Sequence, residues 1–546
     1  MSAPEFVLSG RIRTQSRYGV VEAMHVRNGR IVALGERSLA DELVGSGIEE
    51  IPLPDRAVAM PAFIDPHVHL AHYAVGSERG VDCRVPVCTG VSDVIERLRE
   101  RAAQTPPGEW VIGYGNLFFD QKLAERRYPD RHELDLASTE HPIVLHCGGH
   151  VSMLNSRALE VIDVRRFMGP GQGLWGSPIV RLDERGEPTG YIAEIDAHLP
   201  IPAPTIGEIS GNVKKRFHDE LLRRGVVTVG EMLETEAQLQ AYDALARDPG
   251  FGGRIALYAM SPSFRELEQS FDWVREFSAR GDLLWAQGVK IFADGGYSAR
   301  NAASIREYAE EQVDRAHYRG VLNQSRGELL RAFELAAANS VQLAVHTNGT
   351  RAQAEVLQAL DGFAAHVDVR VEHLGNVLED TAYLDEWKRA NVLPVMQPGF
   401  LSNFIGDYMP MLFPGSGIRG RMPLRTILDA AIQPAISSDF GLGADIGATN
   451  PWQTIWSAVS RKTFWGLTVE PHEAISVEEA VLAHTVRAAE AIGRSGELGA
   501  FAPGMLADIV IYREDPFLAE LDALRETRAH RVYRGGELVH AEEEGS

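Results

Sequence analysis

PAFIDPHVHLAH, residues 61–72, is the stretch on which the reading of this chain turns. An apolar run leads into two histidines spaced two residues apart. Along an extended strand residues i and i+2 point the same way, so His67 and His69 are expected to face one side together at the strand's C-terminal end. Two neutral imidazoles converging there suit a divalent ion such as Zn2+. The apolar run in front of the pair separates it from the common surface His-x-His.

This run is the first of eight. They are AVAMPAFI (57–64), VVTVGEM (226–232), RIALYAM (254–260), GVKIFAD (288–294), VQLAVHT (341–347), DVRVEHL (368–374), NVLPVMQ (391–397) and PAISSD (434–439). Segments such as GELLRAFELAAANS and TRAQAEVLQALDGF lie between them, with Leu, Ala and Phe recurring at the helical period. Strands alternating with helices predict a parallel sheet, and eight such units predict an α/β fold closed into a (β/α)8 TIM barrel. The interval 70–215 is too long for one crossover. It reads as an inserted subdomain over the C-terminal mouth, with GPGQGLWGSP and LPIPAPTIG as its loops.

The two chain ends resemble each other more than the middle. Asn28-Gly29 and Gly535-Gly536 each separate two β-rich runs, a strong hairpin signal. Neither end is long enough to bury a core alone. Residues 1–56 and 496–546 are therefore expected to join in one small β-sandwich, leaving 57–495 for the barrel and its insertion.

Composition excludes several classes. Over 546 residues, 76 Asp and Glu against 54 Lys and Arg give a formal charge of -22, which offers no footprint for nucleic acid or an anionic membrane. Three cysteines make no disulfide framework, and MSAPEFVLSGRIRTQ lacks a leader's apolar stretch. These features lead us to expect a soluble cytoplasmic protein that acts on small molecules.

The remaining strands supply further ligand-type residues. The fifth run ends in AVHTNG (His346), the sixth in VRVEHLG (His373) and the eighth in ISSDFG (Asp439), while the fourth carries Lys290 in GVKIFADGG. Any one of these reads as a structural strand-end residue or a turn. Together with His67 and His69 they place potential metal ligands on five strands at the catalytic face of one barrel.

With those residues in place the chain resembles the amidohydrolase superfamily, and most closely its branch called amidohydrolase family 3. The resemblance covers essentially the whole length. It includes GELGAFAPGMLADIVIYREDP (496–516) and, in the insertion, GGHVSMLNSRALE (148–160) and GEPTGYIAE (186–194). It implies metal positions at His67, His69, Lys290, His346, His373 and Asp439. In this pattern His67, His69 and Asp439 hold one ion, His346 and His373 a second, and carboxylated Lys290 bridges them. Two departures, His346-Thr-Asn-Gly-Thr350 for His-x-x-Gly-Asp and Ser437-Ser438-Asp439 for Gly-Ser-Asp, leave the ligand types intact.

Lys290 has a physical reading of its own. An ammonium is repelled by cations, whereas desolvation and nearby metal favour the neutral amine, which can take up CO2 to give a two-oxygen carbamate. The alternative is an ammonium paired with Asp294 or Glu231, which leaves a one-metal site. Asp439 is placed to take a proton from water and pass it to the leaving nitrogen.

The resemblance implies hydrolysis of a non-peptide C–N bond by a metal-dependent enzyme, with a small N-acyl or N-formyl amine as substrate. Carbamate, urea and cyclic-amide hydrolysis are the alternatives within the superfamily. A one-metal deaminase fits less well, because Lys290 is present and no Glu follows His346 in the expected turn. A metal-free scaffold would have to keep all six ligand positions unused.

His150, Phe118 and Trp175 are candidate substrate contacts. Tyr114, Phe118, Phe119 and Trp175 serve equally as core of the insertion. Cys147 reads as a buried thiol, and His72, His141, His146 and His472 receive no role. The chain is a candidate homo-oligomer, with no feature that sets a subunit number.

Overall fold

The computed structural model describes residues 5–169, 178–313, 316–413 and 418–542. Its centre is a sheet of eight strands hydrogen-bonded in chain order: Phe63–Val68, Val226–Leu233, Arg254–Met260, Leu284–Phe292, Gln342–His346, Val369–Glu372, Leu393–Met396 and Ala435–Ile436. We refer to these as barrel strands one to eight. Every pairing between them is parallel. With helices outside and side chains filling the interior, strands two and three are buried at every position, so their sequences read as apolar runs without alternation.

Strands one and eight close the ring through bonds just beyond the eighth strand. The Asp439 N–H donates to the His67 carbonyl at 3.1 Å, and the His69 N–H donates to the Phe440 carbonyl at 3.0 Å. The buried Asp65 carboxylate accepts the Ser438 N–H at 3.0 Å and also its hydroxyl. This seam draws His67, His69 and Asp439 together.

The run 57–64, expected as one barrel strand, is two strands. Val58–Pro61 pairs antiparallel with Ile509–Tyr512 and parallel with Arg11–Ile12, in the sheet built from the chain ends. Only Phe63–Val68 enters the barrel, so the boundary drawn at residue 56 falls after Pro61 in the strand pairing. Both halves are buried throughout, and no periodicity marks the change of sheet.

The chain ends do meet, in one continuous eight-stranded sheet rather than two separately bonded layers. Its ladder forks along Glu5–Arg13, where Phe6–Ser9 pairs with Glu49–Pro52 and Arg11–Ile12 with Val58–Pro61. Gly10 sits at the fork with φ +128°, and a Cβ there would lie 2.7 Å from the Cβ of Leu53. Both foreseen hairpins form, with Asn28-Gly29 and Gly535-Gly536 all at positive φ, as two-residue turns of the primed kind require. A buried, two-pronged Arg254–Asp508 pair (2.7 and 2.9 Å) ties barrel strand three to this sheet.

The insertion is a subdomain with a six-stranded sheet of its own, from Val81–Asp82 to Pro188–Ala193. Its core includes Cys83, Leu98, Phe119, Leu145 and Cys147. Helices Leu70–Arg79 and Ile206–Arg216 carry the chain out and back, joined by Arg79 to Glu208 at 2.6 Å. Among the described residues no helix is long and apolar enough to cross a membrane.

Candidate active site

A cavity of about 1400 Å3 opens at the C-terminal ends of the barrel strands, with the insertion as its far wall. His67, His69, Lys290, His346, His373 and Asp439 all line it, as does His150. Phe118 does not. It is fully buried behind the wall, stacked on Phe404 at 5.2 Å and Tyr408 at 5.4 Å. These barrel-loop aromatics and the Arg300 guanidinium, 5.1 Å from its ring centre, enclose it, so its expected contact with substrate is withdrawn. Tyr114 and Phe119 are also buried, Phe119 in the insertion's core. Trp175 lies outside the described residues.

The imidazoles are aimed by partners at their far ends. His67 Nδ1 stands 2.6 Å from Glu372 Oε2, and His373 Nδ1 is 2.7 Å from Gln397 Oε1. Glu372 is gripped by Arg370, which also donates to Tyr258 Oη and the Pro66 carbonyl, both at 2.8 Å. Gln397 in turn donates to Ser437 Oγ at 2.8 Å. With Nδ1 occupied, each ring turns Nε2 toward Asp439, at 3.4 Å from His67 and 3.8 Å from His373. His69 Nε2 is 3.5 Å from the same carboxylate. The ring of His346 lies 4.5 Å from that of His373, centroid to centroid.

Such a donor set fits a divalent cation. Ligand atoms of His67, His373 and Asp439 all lie within 4.8 Å of one another. Burial, with the nearby Lys290 charge, pushes His67 down to about 3, and burial likewise takes His373 to about 3. His346 is also held well below its ordinary value by burial, then by His373 and Lys290. These imidazoles are therefore neutral at pH 7, the state that ligates, and their Nδ1 partners supply the orienting outer contacts usual around metal sites. His69 differs. Burial opposes its charge, but the bond to Glu234 and the charge of Asp439 outweigh burial and raise it. His373 and Asp439 also share a backbone feature, φ of +63° and +52°, rare for residues with a Cβ and frequent where function holds a side chain in place.

Lys290 is buried, with its Nζ 5.2 Å from the centre of the Phe292 ring and no ion pair within 4 Å among the described residues. Neither expected carboxylate is free for it. Asp294 accepts the N–H groups of Ala303, Asn348 and Gly349, and Glu231 accepts those of Leu70 and Ala71 together with the Tyr242 hydroxyl. Burial lowers Lys290 to about 8, which puts the neutral amine within reach near physiological pH.

Several residues of this site escaped the sequence reading. Glu372 and Arg370 alternate on one buried strand, and two opposite charges within an apolar run were the signal. Glu234 follows the end of strand two and reaches His69 Nδ1 at 3.5 Å. In the insertion, His150 Nδ1 meets Glu194 at 3.1 Å, and His146 Nδ1 meets Asp196 at 3.2 Å and Ser152 Oγ at 3.0 Å. His146, given no role from sequence, thus steadies the cavity residue Asp196, while His72 lines the cavity itself. His141 is structural, bonded to Ser138 Oγ and the Thr105 carbonyl, and His472 is exposed.

Comparison with known proteins finds relatives over nearly the whole chain. The N-substituted formamide deformylase of Arthrobacter pascens is 26% identical over 548 residues, covering 97% of each chain. Protein LONG AFTER FAR-RED 3 of Arabidopsis thaliana is 28% identical over 540 residues, covering 92% of this chain and 86% of its own. Among solved structures, an uncharacterized metal-dependent hydrolase from Pyrococcus horikoshii OT3 shares the fold, with a TM-score of 0.71 and 23% identity over 95% of this chain and 99% of that one. The sequence signature of the amidohydrolase family spans residues 56–540, and to that family this chain belongs.

Proposed function

We propose that the chain is a metal-dependent hydrolase of a non-peptide amide bond, acting on a small N-acyl or N-formyl amine. The observation that carries this reading is the convergence of His67, His373 and Asp439 within 4.8 Å on the floor of the cavity. His67, His69 and Asp439 would hold one divalent ion such as Zn2+, and His346 and His373 a second, with carboxylated Lys290 between them. An ion held there supplies Lewis acidity and brings the pKa of water down toward neutrality.

The chain's own groups do the rest. Asp439 is 15% exposed, open to the cavity, and accepts the proton of the attacking water. Glu372 and Gln397 keep His67 and His373 from turning away. Phe400, Phe404, Leu442, Ile446 and Phe464 give the cavity an apolar side that suits an alkyl or aryl substituent on the amine. The formamide deformylase relative supports an N-formyl substrate. The cavity's size also favours a second reading, in which bulkier carbamates, ureas or cyclic amides are cleaved by the same groups.

The test is a substrate panel on enzyme loaded with Zn2+, Mn2+ or Co2+, scoring released amine from N-formyl amines, N-acetyl amines, ureas and carbamates. Turnover of the formyl or acetyl amines, abolished by a chelator and restored by metal, is the expected result. Turnover confined to ureas or carbamates would replace the first reading with the second. Inertness toward the whole panel would overturn both.

A further inference from the structure

Barrel strands four and five stand across the ring from strands one and eight, because the eight strands follow one another in chain order. Asp439 belongs to the seam between one and eight. Facing it, from the four–five side, the insertion brings in His150. The ring of His150 lies against the backbone just after strand four, so close that a Cβ on Gly296 would be 2.7 Å from Cδ2 and 3.0 Å from Nε2. The neighbouring Gly295 carbonyl is 3.3 Å from His346 Nε2, so His150 stands beside the ligand cluster without belonging to it.

Its orientation is over-determined. Nδ1 is 3.1 and 3.3 Å from the two Glu194 oxygens, the Glu194 N–H donates to the His150 carbonyl at 3.0 Å, and Asn301 Nδ2 donates to Glu194 Oε1 at 3.0 Å. Asn301 is anchored in turn by the Gly296 N–H at 2.7 Å. Nε2 has no hydrogen-bond partner among the described residues, and the side chain, 28% exposed, lies on the cavity wall. A dyad built to hold one imidazole, with its second nitrogen turned to the cavity, is more than structure needs.

We propose that His150, in place of Asp439 as expected from the sequence, is the acid of this reaction, giving the proton on Nε2 to the leaving nitrogen while Asp439, across the mouth, takes only the proton of the attacking water. This rests on the amide-hydrolase reading above. Attack forms the C–O bond and moves the carbonyl π pair onto oxygen. Collapse restores C=O, breaks C–N and leaves the departing pair on nitrogen, which takes the His150 proton. The proton on Asp439 then returns to the imidazole through cavity water, so one water is consumed and both side chains are restored. The charges facing His150 are Glu194, Asp196, Asp294, Asp439 and His346. Burial opposes its charge, yet Glu194 and then the more distant carboxylates raise it to about 9.

Two measurements on the full chain test the proposal. In metal-loaded enzyme, His150→Gln and Glu194→Gln are compared with wild type on paired formamides, one of an alkylamine and one of 4-nitroaniline, whose far less basic nitrogen depends less on protonation as it leaves. The proposal expects about a 100-fold or greater loss of kcat for the alkyl substrate in His150→Gln, under about 10-fold for the nitroanilide, and the same pattern more weakly in Glu194→Gln. Equal losses on both substrates would overturn it, whether seen in His150→Gln or, should that variant not fold, in Glu194→Gln. In metal-free protein, 15N spectra of labelled histidines should show both His150 nitrogens protonated at pH 7 and one proton lost in Glu194→Gln. A neutral His150 at pH 7 would also overturn it. A wild type inert on both formamides and on the matching acetamides rejects the amide reading beneath it, which separates the two failures.

Discussion

Glu372 Oε2 stands 2.6 Å from Nδ1 of His67, although 305 residues separate the two in sequence. This carboxylate precedes His373 in the chain, so barrel strand six both offers an imidazole and aims another supplied by strand one. Arg370 keeps Glu372 charged and fixed, and all three side chains are essentially excluded from solvent.

Glu372→Gln should therefore weaken metal binding by about 10- to 100-fold, read as competition against a calibrated chelator. Glu372→Ala should do more, because it leaves the fully buried Arg370 without its counter-charge, at a cost of about 3–5 kcal/mol in chemical unfolding. Unchanged metal affinity in Glu372→Gln would remove Glu372 from any role at the site.

Asp439→Asn should retain most of its metal, because His67, His69, His346 and His373 remain, yet lose about 100- to 10,000-fold in kcat with the base gone. Metal content and kcat measured on one preparation check this. An Asp439→Asn enzyme that keeps its turnover removes Asp439 from proton transfer.

The six cavity-floor positions were legible because each interrupts or ends an apolar run at a place where buried strands rarely keep a polar residue. The residues that aim them were not, because their partners are set by the closed ring. Nothing local to Glu372 or Gln397 indicates which histidine it meets. Phe118 and Phe119, neighbours in an insertion rim, were equally open to a pocket or a core from sequence; Phe119 packs in the insertion's own core, whereas the partners of Phe118, Phe404 and Tyr408, lie nearly 300 residues away. The break between Pro61 and Phe63 was hidden for the opposite reason, since both sheets ask for the same apolar residues there.

His484 gives a pH dependence of stability away from the cavity. Its Nδ1 bonds the Ile64 carbonyl at 2.9 Å, Nε2 is buried without a partner among the described residues, and burial lowers the ring to about 4. A base depressed on folding favours the native state above its unfolded value near 6.5, and that contribution is lost as pH falls from there through about 4. The stability of wild type relative to His484→Gln should accordingly drop by up to about 3 kcal/mol between pH 7 and pH 4, followed by urea unfolding. A difference flat with pH would mean that His484 is as easily charged in the fold as out of it.

Asp508→Ala should destabilise the chain by about 3–5 kcal/mol, because it strands the Arg254 guanidinium at the buried joint between barrel strand three and the terminal sheet. It also removes the acceptor of the Gly535 N–H at 2.7 Å. Metal content should stay at the wild-type level, since the joint touches none of the cavity residues. Differential scanning calorimetry beside elemental analysis separates the two effects, and a loss of under 1 kcal/mol would show the pair to be replaceable by water.

Metal stoichiometry, measured by elemental mass spectrometry on protein purified without chelators or metal-affinity tags, is the most direct test of a bridged pair of ions. Lys290 is buried without an ion pair among the described residues, and carboxylation would make it the bridge between two ions. Two equivalents of divalent metal per chain, falling to about one in Lys290→Ala, are the predicted result. One equivalent insensitive to Lys290 would contradict the bridged pair, and no metal at all would contradict the hydrolase.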